Sequence, residues 1–315
     1  MSDLSFPELS RRMLQLYRAE KYAEALELLT REFPHFPEEA YHLYHWQVCL
    51  ASRTNQAEWA LDHLAEALDV GYWYNERQLR QDEDLKPLQG LPRFEALVSQ
   101  CLERQAAAQA LAAPGLLTLE PAGISPAGGT PWLLALHGNN SQAETAAEQW
   151  RPAASLGWLV ALPGSSQVTG PDRYGWNDWE RAKGEIQSHM TVLRERHPLD
   201  PERGVVGGFS MGGGLAAWLA LSGAVQVRGF ILVGAYTPDM QQLVASMETS
   251  AARQLRGYIV VGEDDDECYA ISPALVEHLR AHGIPCELEV HPKLGHEFPP
   301  DFEKSLKRGL EYITP

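Results

Sequence analysis

Apolar residues are spaced in two different ways along this chain, and the spacing changes near position 114. Before it, alanines, leucines and aromatics recur at three- and four-residue intervals, the period of helices that bury one face. Tyr17-Arg-Ala-Glu-Lys-Tyr-Ala-Glu-Ala-Leu26 aligns with Ser52-Arg-Thr-Asn-Gln-Ala-Glu-Trp-Ala-Leu61 at an offset of 35 residues. The pair predicts two similar helical hairpins, with Glu20 and Asn55 in the turns and Pro37 opening the second hairpin. Ala25, Ala60 and Ala67 are the small residues expected at the helix crossings. Residues 91–111 predict a closing helix after a turn-rich 81–92, with Tyr72, Trp73, Tyr74 and Phe94 packing around it. After position 114 the pattern becomes short unbroken apolar runs ended by Gly, Pro or charge, at 131–138, 258–262 and 286–291, with Val205-Val206 a further one. Such runs predict strands of a mostly parallel sheet covered on both faces, with helices between them, such as 179–196 and 215–221. The expected fold class is α/β, preceded by an all-α helical repeat domain. The boundary is placed in the alanine-rich 106–113, giving a helical domain over 1–112 and an α/β domain over 113–315.

The chemistry is concentrated in the second part. Gly-Gly-Phe-Ser-Met-Gly-Gly-Gly at 207–214 follows the Val205-Val206 run and precedes an Ala/Leu-rich helical stretch. Strand, tight turn and helix in that order form a G-x-S-x-G nucleophile elbow with Ser210 at its tip. The positions two before and two after the serine, Gly208 and Gly212, must lack side chains for the turn to close. The helix start supplies free backbone N–H groups beside the Ser210 hydroxyl. Upstream, the run at 131–138 ends in His137-Gly138-Asn139-Asn140; downstream, 258–262 leads into Glu263-Asp264-Asp265-Asp266-Glu267, and 286–291 leads into Pro292-Lys-Leu-Gly-His296-Glu-Phe-Pro299.

Residues 115–315 therefore resemble an α/β-hydrolase, in particular the phospholipase/carboxylesterase group of serine esterases. The resemblance rests on Leu136-His137-Gly138, Gly208-Phe-Ser-Met-Gly-Gly213, Val261-Gly-Glu-Asp-Asp265 and Gly295-His-Glu-Phe-Pro299, in the family's order over about two-thirds of the chain. It implies Ser210 as nucleophile, His296 as base and Asp265 as the acid that orients the histidine, with Asp266 the alternative. It also implies an oxyanion hole from the backbone N–H groups of Met211 and Asn139. The chain departs from the family where Asn139-Asn140-Ser141 replaces a glycine run, and where Asp266-Glu267-Cys268 replaces a proline-containing turn. In the first part the repeat resembles a tetratricopeptide repeat. Such a domain implies either a groove for a protein or peptide partner, or a cover or dimer surface for the hydrolase.

Other residues compete for roles. His291 ends a predicted strand, whereas His296 follows a glycine in a loop that can reach Ser210. His137 is expected to support its turn. His42 with His45, and His278 with His282, share helix faces, but neither pair has a third ligand nearby in sequence, so both read as surface histidines rather than metal ligands. Tyr174 and Trp176 sit in a loop expected at the carboxyl ends of the strands, where they would wall an apolar substrate pocket; Trp179 reads equally as helix-to-sheet packing.

Composition narrows the partners. The formal net charge of the 315 residues is −16. Residues 1–113 carry 11 basic and 18 acidic side chains, a balance of −7, and residues 114–315 carry 15 and 24, a balance of −9. Both parts are acidic, which argues against nucleic acid and anionic membrane surfaces. Cys49, Cys101, Cys268 and Cys286 are scattered and read as free thiols of a reducing compartment. The N-terminal residues show no apolar signal core and no stretch of 18 apolar residues occurs, so a cytoplasmic location is expected. The function this predicts is hydrolysis of a small-molecule carboxylic ester through an acyl-Ser210 intermediate, with no metal or organic cofactor. Thioester or peptide-bond cleavage by the same triad is the alternative chemistry, and a non-catalytic adaptor the alternative class.

Overall fold

The computed structural model describes residues 4–123, 128–248 and 254–315; residues 1–3, at the head of the stretch read for a signal core, lie outside them. The chain divides into two compact units, one of residues 1–111 with 169–171, the other of 112–168 with 172–315.

The first unit is built from α1 (Phe6–Arg18), α2 (Tyr22–Glu32), α3 (Ala40–Arg53), α4 (Ala57–Asp69), the short α5 (Glu76–Gln81) and α6 (Pro92–Leu111). The two hairpins, α1–α2 and α3–α4, turn at Glu20 and Asn55, which take φ of 56° and 58°. The shared left-handed conformation explains why glycine would suit both positions and why asparagine tolerates it better than glutamate. Ala25, Ala60 and Ala67 are fully buried, so the helices cross where the side chains are smallest. Trp73, Tyr74 and Phe94 are core residues and Tyr72 is half-buried. The alanine-rich stretch in which the boundary was placed is the end of α6, which runs to Leu111, and the two units divide there; alanine's high helix propensity accounts for the helical conformation.

The second unit carries a seven-stranded sheet in the order β1-β3-β2-β6-β7-β8-β9. Its strands are β1 (Gly115–Leu119), β2 (Thr130–Leu136), β3 (Leu159–Gly164), β6 (Leu199–Phe209), β7 (Gly229–Val233), β8 (Arg256–Gly262) and β9 (Cys286–His291). All neighbours pair in parallel except β1, which runs antiparallel to β3. A separate ribbon joins β4 (Gln167–Gly170) to β5 (Arg173–Gly175). The helices are α7 (Ala143–Ser155), α8 (Trp179–Arg196), α9 (Met211–Ser222), α10 (Met240–Glu248), α11 (Asp266–Ala281) and α12 (Phe302–Ile313).

Alternate residues of each central strand feed two separate cores. Leu134, Leu136, Val206, Phe230, Leu232 and Ile259 face one core, with α8, α9, α10 and α11. Leu133, Ala135, Val205, Ile231, Val233 and Val260 face the other, with α7 and α12. Burial on both faces is why these strands read as unbroken apolar runs rather than alternating ones. Helix α9 is buried from Met211 to Leu221, as expected of a helix that is apolar all round. It is anchored directly behind the elbow, so Ser210 is held by the most enclosed part of the unit.

Candidate active site

Ser210 stands between β6 and α9 with φ 54° and ψ −123°. This is a region that residues with a side chain rarely occupy, and the surrounding hydrogen bonds hold the backbone in it. The Ser210 N–H donates to the Val233 carbonyl at 3.0 Å, and its own carbonyl accepts from Gly213 at 2.9 Å and from Tyr236 at 3.0 Å. A Cβ on Gly212 would lie 2.2 Å from the His137 carbonyl oxygen, and one on Gly208 would lie 2.3 Å from that of Gly212. Backbone atoms cannot yield at that range, so glycine is required at both positions.

The loop after β9 carries His296 across to the elbow. Its Nε2 lies 2.9 Å from Ser210 Oγ and its Nδ1 lies 2.7 Å from Asp265 Oδ2. The tautomer that satisfies both contacts donates from Nδ1 to the carboxylate and accepts the serine proton at Nε2. The Asp265 side chain is 7% exposed and that of His296 42%, so the carboxylate is shielded while the imidazole is open to a substrate. Asp265 immediately precedes α11, where the helix dipole favours an anion. Asp264 and Asp266, on either side, are exposed.

Two neighbours of this pair were not singled out by sequence. Gly234, at the end of β7, has φ +48°, and a Cβ there would lie 3.2 Å from Asp265 Oδ2 and 3.4 Å from His296 Nδ1. The bare backbone leaves space for the carboxylate–imidazole contact. Cys268 Sγ lies 3.7 Å from His296 Nδ1. Burial, the charge of Asp265 and a hydrogen bond to it push the Cys268 thiol well up, so it stays protonated beside the carboxylate. A glycine closing an apolar run and a cysteine two residues after Asp266 were the available signals, and neither is specific.

The loop after β2 runs along the other side of Ser210. A Cβ on Gly138 would lie 3.6 Å from Ser210 Cβ, which places the backbone leading to Asn139 against that residue. Met211 is the first residue of α9, where an N–H has no acceptor within the helix. The side-chain Oδ1 atoms of Asn139 and Asn140 are buried and accept no hydrogen bond among the described residues. Below the loop, His137 is 1% exposed. Its Nδ1 donates to the Gly138 carbonyl at 2.7 Å, and its Nε2 accepts from Ser165 N–H at 3.4 Å. Burial pulls the His137 pKa down to about 4, so it is a neutral strut.

Trp176 differs from its expected role. It is fully buried; its Nε1 donates to the His137 carbonyl at 2.9 Å, and its ring packs 4.7 Å from the imidazole. A side chain enclosed in this way supports the loop and offers no face to a substrate. Tyr174 is half-buried, and its backbone forms a two-way bridge with Ser141, so it braces the same loop. Trp179, the first residue of α8, packs on Trp218 of α9 at 5.6 Å.

The remaining histidines separate cleanly. His291 Nε2 lies 2.8 Å from Glu289, in a cluster with Tyr258, Ser305 and Arg308. His282 is half-buried and its Nδ1 donates to the His278 carbonyl at 2.7 Å. His45, expected at the surface with His42, instead turns inward to Cys49 and Asp82, on a helix of which ten of the fourteen residues are buried.

Comparison with known proteins agrees with the fold. Residues 5–109 match the family described as A/B hydrolase-like, N-terminal domain, and residues 171–308 match the dienelactone hydrolase family. No curated protein matches the chain. Among solved structures, an uncharacterized protein from Bacillus cereus ATCC 10987 is 26% identical with a TM-score of 0.56, over 98% of this chain and 99% of its own. Esterase PE8 is 18% identical with a TM-score of 0.52, over 64% of this chain and 99% of its own. Acyl-protein thioesterase 2 of Zea mays is 18% identical with a TM-score of 0.50, over the same shares of 64% and 99%.

The second unit is an α/β-hydrolase, and the chain is a hydrolase. More particularly, its matches are to the dienelactone hydrolase family over 171–308 and to an A/B hydrolase-like N-terminal domain over 5–109, each less than half of the chain. The matched family differs in name from the group that the sequence motifs resemble, while the fold is the one they imply. The tetratricopeptide reading remains a likeness of spacing. No helix among the described residues is long and apolar enough to cross a membrane.

Proposed function

We propose that this protein cleaves carboxylic esters by acyl transfer to Ser210 and then to water. The observation that carries the proposal is the unbroken line Ser210 Oγ–His296 Nε2, 2.9 Å, and His296 Nδ1–Asp265 Oδ2, 2.7 Å, at a serine held on a strained elbow. His296 takes the serine proton as Oγ attacks the ester carbonyl, and Asp265 stabilises the imidazolium that forms. The carbonyl oxygen, now an oxyanion, accepts from the backbone N–H groups of Met211 and Asn139, donors worth about 10²–10³ in rate each. His296 returns the proton to the departing alcohol. A water, deprotonated by the same imidazole, then attacks the acyl-Ser210 ester and releases the acid. Every proton in this cycle moves through one ring nitrogen, which is consistent with an exposed imidazole over a buried carboxylate. The names of the matched family and of esterase PE8 agree with an ester as substrate. Thioesters yield to the same chemistry, and a matched pair of oxygen and sulfur esters distinguishes the preference.

Intact-mass analysis after treatment with a fluorophosphonate tests the proposal. One adduct is expected on the native chain, none on Ser210→Ala, and a much slower one on His296→Ala. A folded native protein that forms no adduct, or a Ser210→Ala variant that still forms one, would refute it.

A further inference from the structure

We propose that His45, Cys49 and Asp82 form a binding site for a zinc-class divalent cation inside the helical unit. His45 and Cys49 are four apart on α3 and therefore share a face. Asp82 arrives from the segment between α5 and the following 3-10 turn. Its Oδ1 accepts from the Asp84 N–H at 2.9 Å, which fixes the carboxylate and leaves Oδ2 facing α3. Cys49 Sγ is then 3.5 Å from Asp82 Oδ2 and 3.8 Å from His45 Nδ1, and His45 Nε2 is 3.9 Å from Asp82 Oδ2. One donor atom from each residue lies within 4.8 Å of the other two. A tetrahedral zinc ion with bonds of about 2.3 Å to sulfur and about 2.0 Å to nitrogen or oxygen sets its ligand atoms about 3.3–3.5 Å apart. The Sγ–Oδ2 separation of 3.5 Å fits that spacing as it stands; the ring supplies one nitrogen only, and with Nε2 as the ligand its 3.9 Å separation from Oδ2 must close by about 0.6 Å on binding.

A second observation also points to a ligand. His45 Nε2 is buried and has no hydrogen-bond partner among the described residues. His189 Nε2 is also buried without a partner, but of the two only His45 has a thiol and a carboxylate beside its ring, and a metal ion is one group that satisfies such a nitrogen. The surroundings suit the ion. Burial lowers the His45 pKa against the pull of Asp82, so the imidazole is in the neutral form that ligates. Asp84, also buried, adds negative charge nearby. One nitrogen, one sulfur and one oxygen match zinc and its neighbours rather than magnesium or calcium, which take oxygen ligands. Three protein ligands leave a fourth position for water. Binding displaces the Cys49 thiol proton to solvent. Because that proton is released on binding, affinity rises with pH. The ion would tie α3 to the segment that follows α5.

Asp265, Cys268 and His296 form the other such group among the described residues, so the test must separate the two. Cobalt(II) is added stoichiometrically to the reduced full-length protein, and its thiolate charge-transfer absorption is followed with zinc as competitor. The expected result is one equivalent bound, with the band retained in Cys268→Ser, abolished in Cys49→Ser and displaced by zinc. In Asp82→Asn, which keeps the side-chain shape, cobalt affinity should fall at least tenfold, so the test survives a Cys49→Ser variant that fails to fold. Zinc should also raise the thermal midpoint of the native protein and leave that of Asp82→Asn unchanged. Absence of the band in the native protein would overturn the proposal. So would a band that survives Cys49→Ser and disappears in Cys268→Ser.

Discussion

At the scale of single residues, the run Asp264-Asp265-Asp266 shows how much position adds to composition. The three side chains are chemically identical, yet only Asp265 is buried, at the mouth of α11 and against His296. The resemblance to serine esterases ranked Asp265 first, but the face each aspartate takes is set by how β8 enters the helix. On the proposed mechanism, Asp265→Asn should lower kcat for an activated ester by about 10²–10⁴, and Asp266→Asn should stay near the native rate. His137 gives a pH prediction. Its pKa falls from 6.5 to about 4 in the folded protein, so the folded state binds fewer protons than the unfolded chain between those limits. Stability is therefore full above pH 6.5 and declines as pH falls toward 4, by about 2 kcal/mol per 1.5 units. Urea unfolding should show that slope in the native protein and a shallower one in His137→Gln. Trp176 marks the limit of sequence at this scale: its place in a loop was legible, but its burial under His137 depends on a strand distant in the chain.

At the scale of elements, the legible parts were those whose pattern has a single cause. The limits of α8 and β9 were visible because an apolar period or run begins and ends sharply there. The sequence reading placed no strand at β1, which is an edge strand, exposed or half-buried throughout, with little alternation to detect. The tie between β9 and α12 was equally hidden, since it is made of polar residues. Glu289 accepts from Tyr258, Ser305 and Arg308 and contacts His291. Hydrogen bonding outweighs the opposing effect of burial and keeps this carboxyl below the usual range. Glu289→Ala should lower the unfolding free energy by about 1–3 kcal/mol, read in denaturant, with Glu289→Gln intermediate. The β9–His296 loop hangs from this strand, so a fall in turnover should accompany the loss of stability.

At the scale of the molecule, the chain has a separate core in each of its two compact units. Calorimetry should give an unfolding enthalpy larger than its van't Hoff value, the signature of more than one cooperative block. A covalent Ser210 adduct should then move only the hydrolase transition. The elbow itself has a consequence for the inheritance of this fold. A residue at φ 54° and ψ −123° costs about 1–3 kcal/mol where a side chain is present, and glycine would remove most of it. Ser210→Gly should thus be inactive yet melt higher than the native protein. Selection for robustness alone would erase the serine, so only a lineage under continuing demand for turnover would keep it.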